Sequence, residues 1–423
     1  MDRARDQARD QASTARGAAL RLLNAVLIDR RLLSDLLADD ALAGLAPADR
    51  ARAQRLATTT LRRIGPIDTL LAPRFTRPPP IRVRNILRLA VSELATGAAA
   101  HGVVHEAVGL AQADPATRNF SGLVNAVLRA VGPAPQLQGT QALPKWLRPR
   151  LVGAWGKSAV AVMETVFARS PPVDLTVKPG KSAPPGAVLL PTGSYRLATD
   201  AGQISALAGF VEGDWWVQDA AAAVAALVLD ARPGERVLDL CAAPCGKTLQ
   251  LAAAGAQVTA LDISEARLKR LRENLARTGM QAEVIAADAL TWAPEQKYDA
   301  VLLDAPCSAT GTIRRHPDLP FVKDGGDLAG LIALQARLLD RALTFMKPGG
   351  RLVFCTCSLL PEEGEGQLEA AMNRHPGLRV EAPRPLGLPK TALHKSGAIR
   401  LKPDHWAERG GMDGFFIARM RWL

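Results

Sequence analysis

Cysteine is scarce in this chain, with five residues in 423. So few thiols exclude a disulfide-stapled scaffold, and in a reducing compartment each is expected to be free. Aromatic residues make up 4%, so the core must be built from Leu, Val and Ala. No apolar run approaches the roughly 18 residues that cross a bilayer, which excludes a membrane-spanning class. The N-terminal stretch MDRARDQARDQAS carries charges of both signs and no hydrophobic segment, unlike a secretory leader. A cytoplasmic protein without a membrane partner is expected. Lys is missing before Lys145, so basic charge in the N-terminal part rests on Arg alone.

Positive charge, by contrast, is plentiful, at a formal +12. That balance favours a polyanionic partner, nucleic acid first. Residues 1–133 read as all-helical. ARGAALRLLNAVL, VRNILRLAVSELA and SGLVNAVLRAVG repeat the 3.6-residue apolar period. RFTRPPPIRVR gathers Arg74, Arg77, Arg82 and Arg84 around three prolines. Such guanidinium groups either fork onto phosphates or line a solvated helix start. Residues 134–143 read as a Pro/Gly/Gln linker. Residues 144–205 read as a small α+β module containing the strand VDLTVKPG.

Residues 206–423 alternate strand and helix. ERVLDLCAA, QVTALDIS, AEVIAADAL, YDAVLLDAPCS and RLVFCTCS are apolar strands, and helical patterns separate them. This rhythm predicts a Rossmann-like α/β domain, a parallel sheet with helices on both faces and ligands at the strands' carboxyl ends. The first strand leads into CAAPCGKT, which is neither G-x-G-x-x-G nor a phosphate loop. A turn at a helix N-terminus still offers backbone N–H groups to a carboxylate. Asp262 ends the second strand 21 residues after Cys241, the spacing at which an acid meets ribose hydroxyls. Asp288 ends the third and suits an adenine amino group. Each Asp alone also suits a helix N-cap. Together they point to an adenosyl cofactor with a charged amino-acid tail and no phosphate: S-adenosylmethionine.

Asp304 and Cys307 follow the fourth strand, and Cys357 follows the fifth. Adjacent strand ends lie about 5 Å apart, so two thiols and a carboxylate can face one reacting centre. Three readings compete. Buried small hydrophobes suit Cys355, read as turned away from Cys357. A zinc site from Cys241, Cys245, Cys307 and Cys357 lacks two matched knuckle pairs, so no metal is expected. Nucleophilic catalysis has a chemical reason. C5 of cytosine is a poor nucleophile until a thiolate adds at C6. The attacking thiol is expected to have a lowered pKa near basic groups. The base must leave its stack to react. Asp304 is then placed to hold the ring through its N3 or N4 edge. Arg314, Arg315 and His316 follow on the same loop and are candidate contacts to the substrate backbone.

CAAPCGKT, LDIS, ADAL, LLDAPCSATGTIRRHPD, TCSLLPEE and GGMDGFF together resemble the RNA 5-methylcytosine methyltransferases of the Sun/Fmu (RsmB-type) family, which act on small-subunit 16S ribosomal RNA. NILRLAVSELA, HEAVGLA and FSGLVNAVLRAV resemble the NusB RNA-binding fold that this family carries. The resemblance implies that Cys357 attacks and Cys307 aids product release. It implies that Cys241, Ala242, Ala243, Pro244, Cys245, Gly246 and Lys247, with Asp262, Asp288 and Asp304, line the cofactor site, and that Lys247 orders the active-site carboxylate. A monomer acting on ribosomal RNA is expected. A tRNA substrate, or a non-catalytic RNA-binding role, remains open. Two positions depart from the pattern. Cys245 replaces a Gly, a strain if that position needs φ > 0. VDLTVKPG lacks the usual Arg-x-Asn, leaving Lys178 as a point charge.

Overall fold

The computed structural model describes residues 14–198, 201–384 and 386–422. The charged stretch read as unlike a leader, residues 1–13, lies outside them. Two compact units emerge, Met1–Pro149 with Val160–Ser170 and Ile313–Asp324, and Arg150–Ala159 with Pro171–Thr312 and Gly325–Leu423.

The first unit is helical: α1 (Ala15–Leu27), α2 (Leu33–Ala38), α3 (Pro47–Leu61), α4 (Ile64–Leu71), α5 (Ile81–Leu94), α6 (Ala100–Ala113) and α7 (Ser121–Val131). Helix α1 starts where the Thr14 hydroxyl accepts from the Gly17 N–H at 3.0 Å, a side-chain cap. Helix α5 is central, with every residue from Asn85 to Leu94 buried. Three of its buried polar members have side-chain partners. Arg88 forks onto Asp68 at 2.8 and 2.5 Å, Asn85 donates to Asn24, and Glu93 pairs with Arg16. Buried polar groups with partners are tolerated where lone ones are not.

Two boundaries differ from those read in the sequence. Residues 134–143 form no regular element, yet the neighbourhood is pinned rather than free. Gln141 accepts from the Gly65 N–H at 2.6 Å, and the Leu143 N–H donates to Glu164 at 2.9 Å. Ile313–Asp324, assigned to the α/β domain on sequence, belongs to the helical unit. Phe321 and Val322 pack against the α1–α3 core, the Leu33 N–H donates to Asp318 at 2.9 Å, and Arg62 donates to the Arg314 carbonyl at 2.9 Å.

Helices α8 (Arg148–Trp155) and α9 (Lys157–Phe167) come next. A small antiparallel sheet follows, from β1 (Asp174–Val177), β2 (Val188–Leu189), β3 (Tyr195–Arg196) and β4 (Trp215–Val217), in the order β2-β3-β1-β4. The module therefore runs past residue 205. Trp215 supplies the reason, since it is fully buried against Leu175 and Leu197.

The large sheet is built from β5 (Arg236–Leu240), β6 (Gln257–Asp262), β7 (Glu283–Ala286), β8 (Tyr298–Asp304), β9 (Met346–Thr356), β10 (Leu378–Val380), β11 (Ile399–Leu401) and β12 (Phe415–Trp422). Its order is β10-β12-β9-β8-β5-β6-β7, with β11 also on β12. Strands β9-β8-β5-β6-β7 are parallel, whereas β12 runs antiparallel to β9, β10 and β11. The sheet is thus mixed, not purely parallel. The sequence reading missed the terminal strand because GGMDGFF registered only as a motif. Helices α10 (Ala220–Leu229), α11 (Gly246–Ala253), α12 (Glu265–Thr278), α13 (Leu328–Thr344) and α14 (Glu365–Arg374) complete this unit. Alternate strand residues fill opposite faces, the period of a pleated strand. Val237, Ala300, Leu302 and Val353 meet α10, while Leu238, Val301, Leu303 and Leu352 meet α13. Among the described residues no helix is long and apolar enough to cross a membrane.

Candidate functional site

The parallel strands deliver their carboxyl ends to one edge, in register. Asp304 at the end of β8 pairs with Cys355 on β9. Beyond them the chain turns out into two loops, and the Cys307 and Cys357 sulfurs lie 3.4 Å apart. That is hydrogen-bond reach for thiols, with no disulfide between them. The hydrogen bond with Cys357, followed by burial, pushes the Cys307 thiol well above its ordinary value. Either thiol can donate in this contact.

The backbone locks this pair. The Gly311 N–H donates to the Cys357 carbonyl, and the Gly414 N–H donates to the Gly311 carbonyl, both at 2.9 Å. A Cβ on Gly311 would stand 2.0 Å from the Gly414 oxygen, so only glycine fits. The reading of Cys355 needs correction. Residues two apart on a strand share a face, and Cys355 and Cys357 indeed pack against the same core. The Cys355 thiol donates to Asp304 at 3.5 Å, and burial raises its pKa well above the ordinary value.

Asp304 is held from the other side by Lys247, whose ammonium lies 2.6 Å from Oδ2 and 5.2 Å from the Phe415 ring centre. Burial works against the Lys247 charge, but the Asp304 carboxylate outweighs it and raises the pKa. Lys247 sits in the first turn of α11, after a loop whose Cys241 and Cys245 both have positive φ, 60° and 124°. At both thiols the surroundings favour the protonated form. Burial, with Asp262, Asp304 and Asp239 around it, raises Cys241, and burial pushes Cys245 up to about 12.

Asp262 is 2% exposed. Its carboxylate accepts from the Ala243 N–H at 3.1 Å and the Ser264 N–H at 2.9 Å, so it shapes the Cys241–Lys247 loop. A carboxylate has about four acceptor positions, which leaves room for hydroxyl donors. Asp288 lies beyond the end of β7 and accepts from the Leu290 N–H at 2.9 Å, an Asx turn. Asp239, which the sequence reading passed over, is fully buried on β5. Thr248 donates to its Oδ2 at 2.6 Å, its Oδ1 has no partner, and burial pushes its pKa to about 7.

The family profile described as 16S rRNA methyltransferase RsmB/F matches residues 226–421, and the NusB family profile matches residues 13–133. A protein of Thermus thermophilus named ribosomal RNA small subunit methyltransferase B is 36% identical over 420 residues, covering 97% of this chain and 98% of its own. One of the same name from Xanthomonas campestris is 36% identical and covers 96% of each. The chain belongs to the RsmB/F family of methyltransferases. A crystal structure of a methyltransferase homologue from Pyrococcus horikoshii superposes with a TM-score of 0.56 at 29% identity, covering 66% of this chain and 95% of that one.

The methyl donor of an RsmB/F methyltransferase is S-adenosylmethionine, and the residues present fit it. Asp239, Asp262 and Asp304 surround Cys241 with acidic groups, which suits a cationic sulfonium. Ile263, also missed on sequence, is 71% exposed directly after Asp262, an apolar surface for a flat ring. A large apolar side chain following the strand-end acid was the available signal.

The RNA candidates divide. Arg77 and Arg82 are exposed, with Asp114 3.6 Å from Arg82. Arg74 and Arg84 are half-buried, and Arg74 donates to the Leu70 carbonyl. Arg315 is exposed, but Arg314 is 0% exposed within the helical unit. A buried guanidinium does not reach a phosphate, so Arg314 is withdrawn as an RNA contact. His316 is mostly buried, and burial first, then Arg315 and Arg62, lowers its pKa to about 4. Lys178 spends its ammonium on the Thr278 carbonyl at 2.9 Å, at the C-terminus of α12.

Proposed function

We propose that the chain methylates C5 of a cytosine in small-subunit ribosomal RNA, as a monomer, through a transient bond between Cys357 and C6 of the base. Bound S-adenosylmethionine supplies an electrophilic methyl group. The chain's own residues work on the cytosine. Cys357 as thiolate forms the Sγ–C6 bond, and the displaced ring electrons make C5 nucleophilic. After transfer, C5 gives its proton to water, the C–H electron pair restores the C5–C6 double bond, and the Sγ–C6 pair returns to sulfur. Cys307, within hydrogen-bond reach of that sulfur, assists the release. The Asp304 carboxylate, fixed by Lys247, accepts from the N4 amino group and orients the ring. The cofactor rests on the Cys241–Lys247 loop with Asp262, Asp288 and Asp304. Exposed arginines of the helical unit, Arg77 and Arg82, bind the RNA backbone.

The observation that carries this reading is the 3.4 Å separation of the two sulfurs beside the Lys247–Asp304 pair. The experiment incubates the Cys307→Ala enzyme with cofactor and unmodified small-subunit rRNA. A protein–RNA adduct stable to denaturant is expected, and it should vanish in Cys307→Ala/Cys357→Ala. No adduct from Cys307→Ala, or full turnover by Cys357→Ala, would refute the assignment.

A further inference from the structure

Each reactive cysteine is followed by a buried serine, Ser308 after Cys307 and Ser358 after Cys357. One carboxylate holds both. Glu363 is fully buried, in a single turn of 3-10 helix over Pro361–Glu363. Its Oε1 accepts from the Ser308 N–H at 2.8 Å and from Gln335 Nε2 at 3.0 Å. Its Oε2 accepts from the hydroxyls of Ser308 and Ser358, the latter at 2.5 Å. These four donors fill the carboxylate's acceptor positions.

The cage extends to both sides of each cysteine loop. Gln335 also donates to the Pro306 carbonyl at 2.9 Å, so the residues before and after Cys307 are tied to one centre. Gln335 is itself oriented by Gln367, which donates to its side-chain oxygen at 3.2 Å. On the other loop, Ser358 Oγ accepts from the Leu360 N–H at 3.0 Å and lies 3.1 Å from Ser308 Oγ. Thr356, just before Cys357, donates its hydroxyl to the Glu363 carbonyl at 3.0 Å. Among the described residues no cation pairs with Glu363. Dipolar donors alone hold it, and three of the four come from the two segments whose spacing the chemistry needs, the fourth from Gln335 on α13. A buried polar network of this kind is costly unless complete, and when complete it fixes a unique geometry.

We propose that Glu363 is the positioning residue of the two-thiol centre, setting the Cys307–Cys357 separation by binding the loops through Ser308, Ser358 and Gln335. It touches neither base nor cofactor and acts through the loops. The inference rests on the two-thiol reading for its catalytic consequence, whereas the geometric claim can be tested without catalysis.

The test uses the full-length chain and diamide, an azo oxidant that joins two thiols as a disulfide and takes up their two hydrogens. The sulfurs must close from 3.4 Å to about 2.05 Å. The rate of Cys307–Cys357 disulfide formation, read by peptide mapping, therefore reports their spacing. Glu363→Gln puts an amino group against two of the four donors. It is expected to slow cross-linking at least tenfold, and to lower kcat on unmodified small-subunit rRNA about 100-fold, the cost of roughly 1 Å of misplacement. Cofactor affinity should stay within twofold. Glu363→Asp keeps the charge but is one methylene shorter, and should behave like Glu363→Gln. Wild-type cross-linking in Glu363→Gln, or wild-type behaviour of Glu363→Asp, would overturn the proposal. If Glu363→Gln does not fold, Ser358→Ala removes one donor and keeps the carboxylate. About threefold slower cross-linking is then expected, and an unchanged rate refutes the clasp. An active Cys357→Ala would refute the two-thiol chemistry and leave the cross-linking result standing, so the two claims fail separately.

Discussion

Adding one methyl group at Gly311 tests the geometry more severely than removing a thiol. A Cβ there would lie 2.0 Å from the Gly414 oxygen, 2.7 Å from the Gly414 carbonyl carbon and 2.9 Å from the Cys357 oxygen. Ordinary contact begins near 3.4 Å, so backbone has to move by more than 1 Å on at least one side. All three neighbours are main-chain atoms, and no flexible side chain can yield instead. The Gly414 strand entry is anchored by β12, and β9 before Cys357 pairs with β12 as well, so strain falls on the Gly311 loop that carries Cys307. Overpacking of this kind costs about 1–3 kcal/mol of stability. Displacing a reacting atom by roughly 1 Å costs about 100-fold in rate. Gly311→Ala should therefore lower kcat about 100-fold, while cofactor affinity, set on the far side of β8, changes less than threefold. The assay is methyl transfer to unmodified small-subunit rRNA under saturating cofactor, with cofactor binding measured separately by calorimetry. Wild-type kcat in a folded Gly311→Ala protein would show that the loop spacing is not what positions the sulfur.

Cys245 has φ 124° where glycine is at ease. Relief of about 2–3 kcal/mol of strain in Cys245→Gly is offset by roughly 1 kcal/mol of backbone entropy and about 1 kcal/mol of lost apolar burial. The melting temperature should therefore shift by only a few degrees, and a loss of about 2 kcal/mol, the full entropy and burial cost, would mean that the residue is unstrained. His316 has its folded pKa lowered to about 4 from 6.5. The unfolded chain therefore binds the extra proton first. Stability from this group is present above pH 6.5 and lost as pH falls toward 4, by up to about 3 kcal/mol. His316→Gln should flatten that stretch of the pH–stability curve, measured by thermal unfolding from pH 7 to 4.5. An identical pH slope in both proteins would contradict the burial of a neutral imidazole.

The strand ends were legible in the sequence because they sit where the pattern is strongest. β5, β6, β8 and β9 are continuous apolar runs, as expected of strands covered on both faces. Their last residues, Asp262, Asp304 and the cysteines beyond, fall at one edge whatever the details of packing. Two thiols after adjacent strands then meet almost automatically. What the sequence hid is what holds them. Ser308, Gln335 and Ser358 converge on Glu363 from 55, 28 and 5 positions away. No local period connects those distances. Likewise Ile313–Asp324 interrupts the α/β pattern with a short apolar stretch that makes sense only against α1–α3. Cys355 was misjudged for a simpler reason, since pleat parity places it on the Cys357 face. Strand order is therefore enough to find two neighbouring thiols, but not to fix their separation. That separation comes from polar groups buried behind the sulfurs. Substitutions in those groups should alter rate while sparing cofactor binding, whereas substitutions in the Cys241–Lys247 loop should do the reverse.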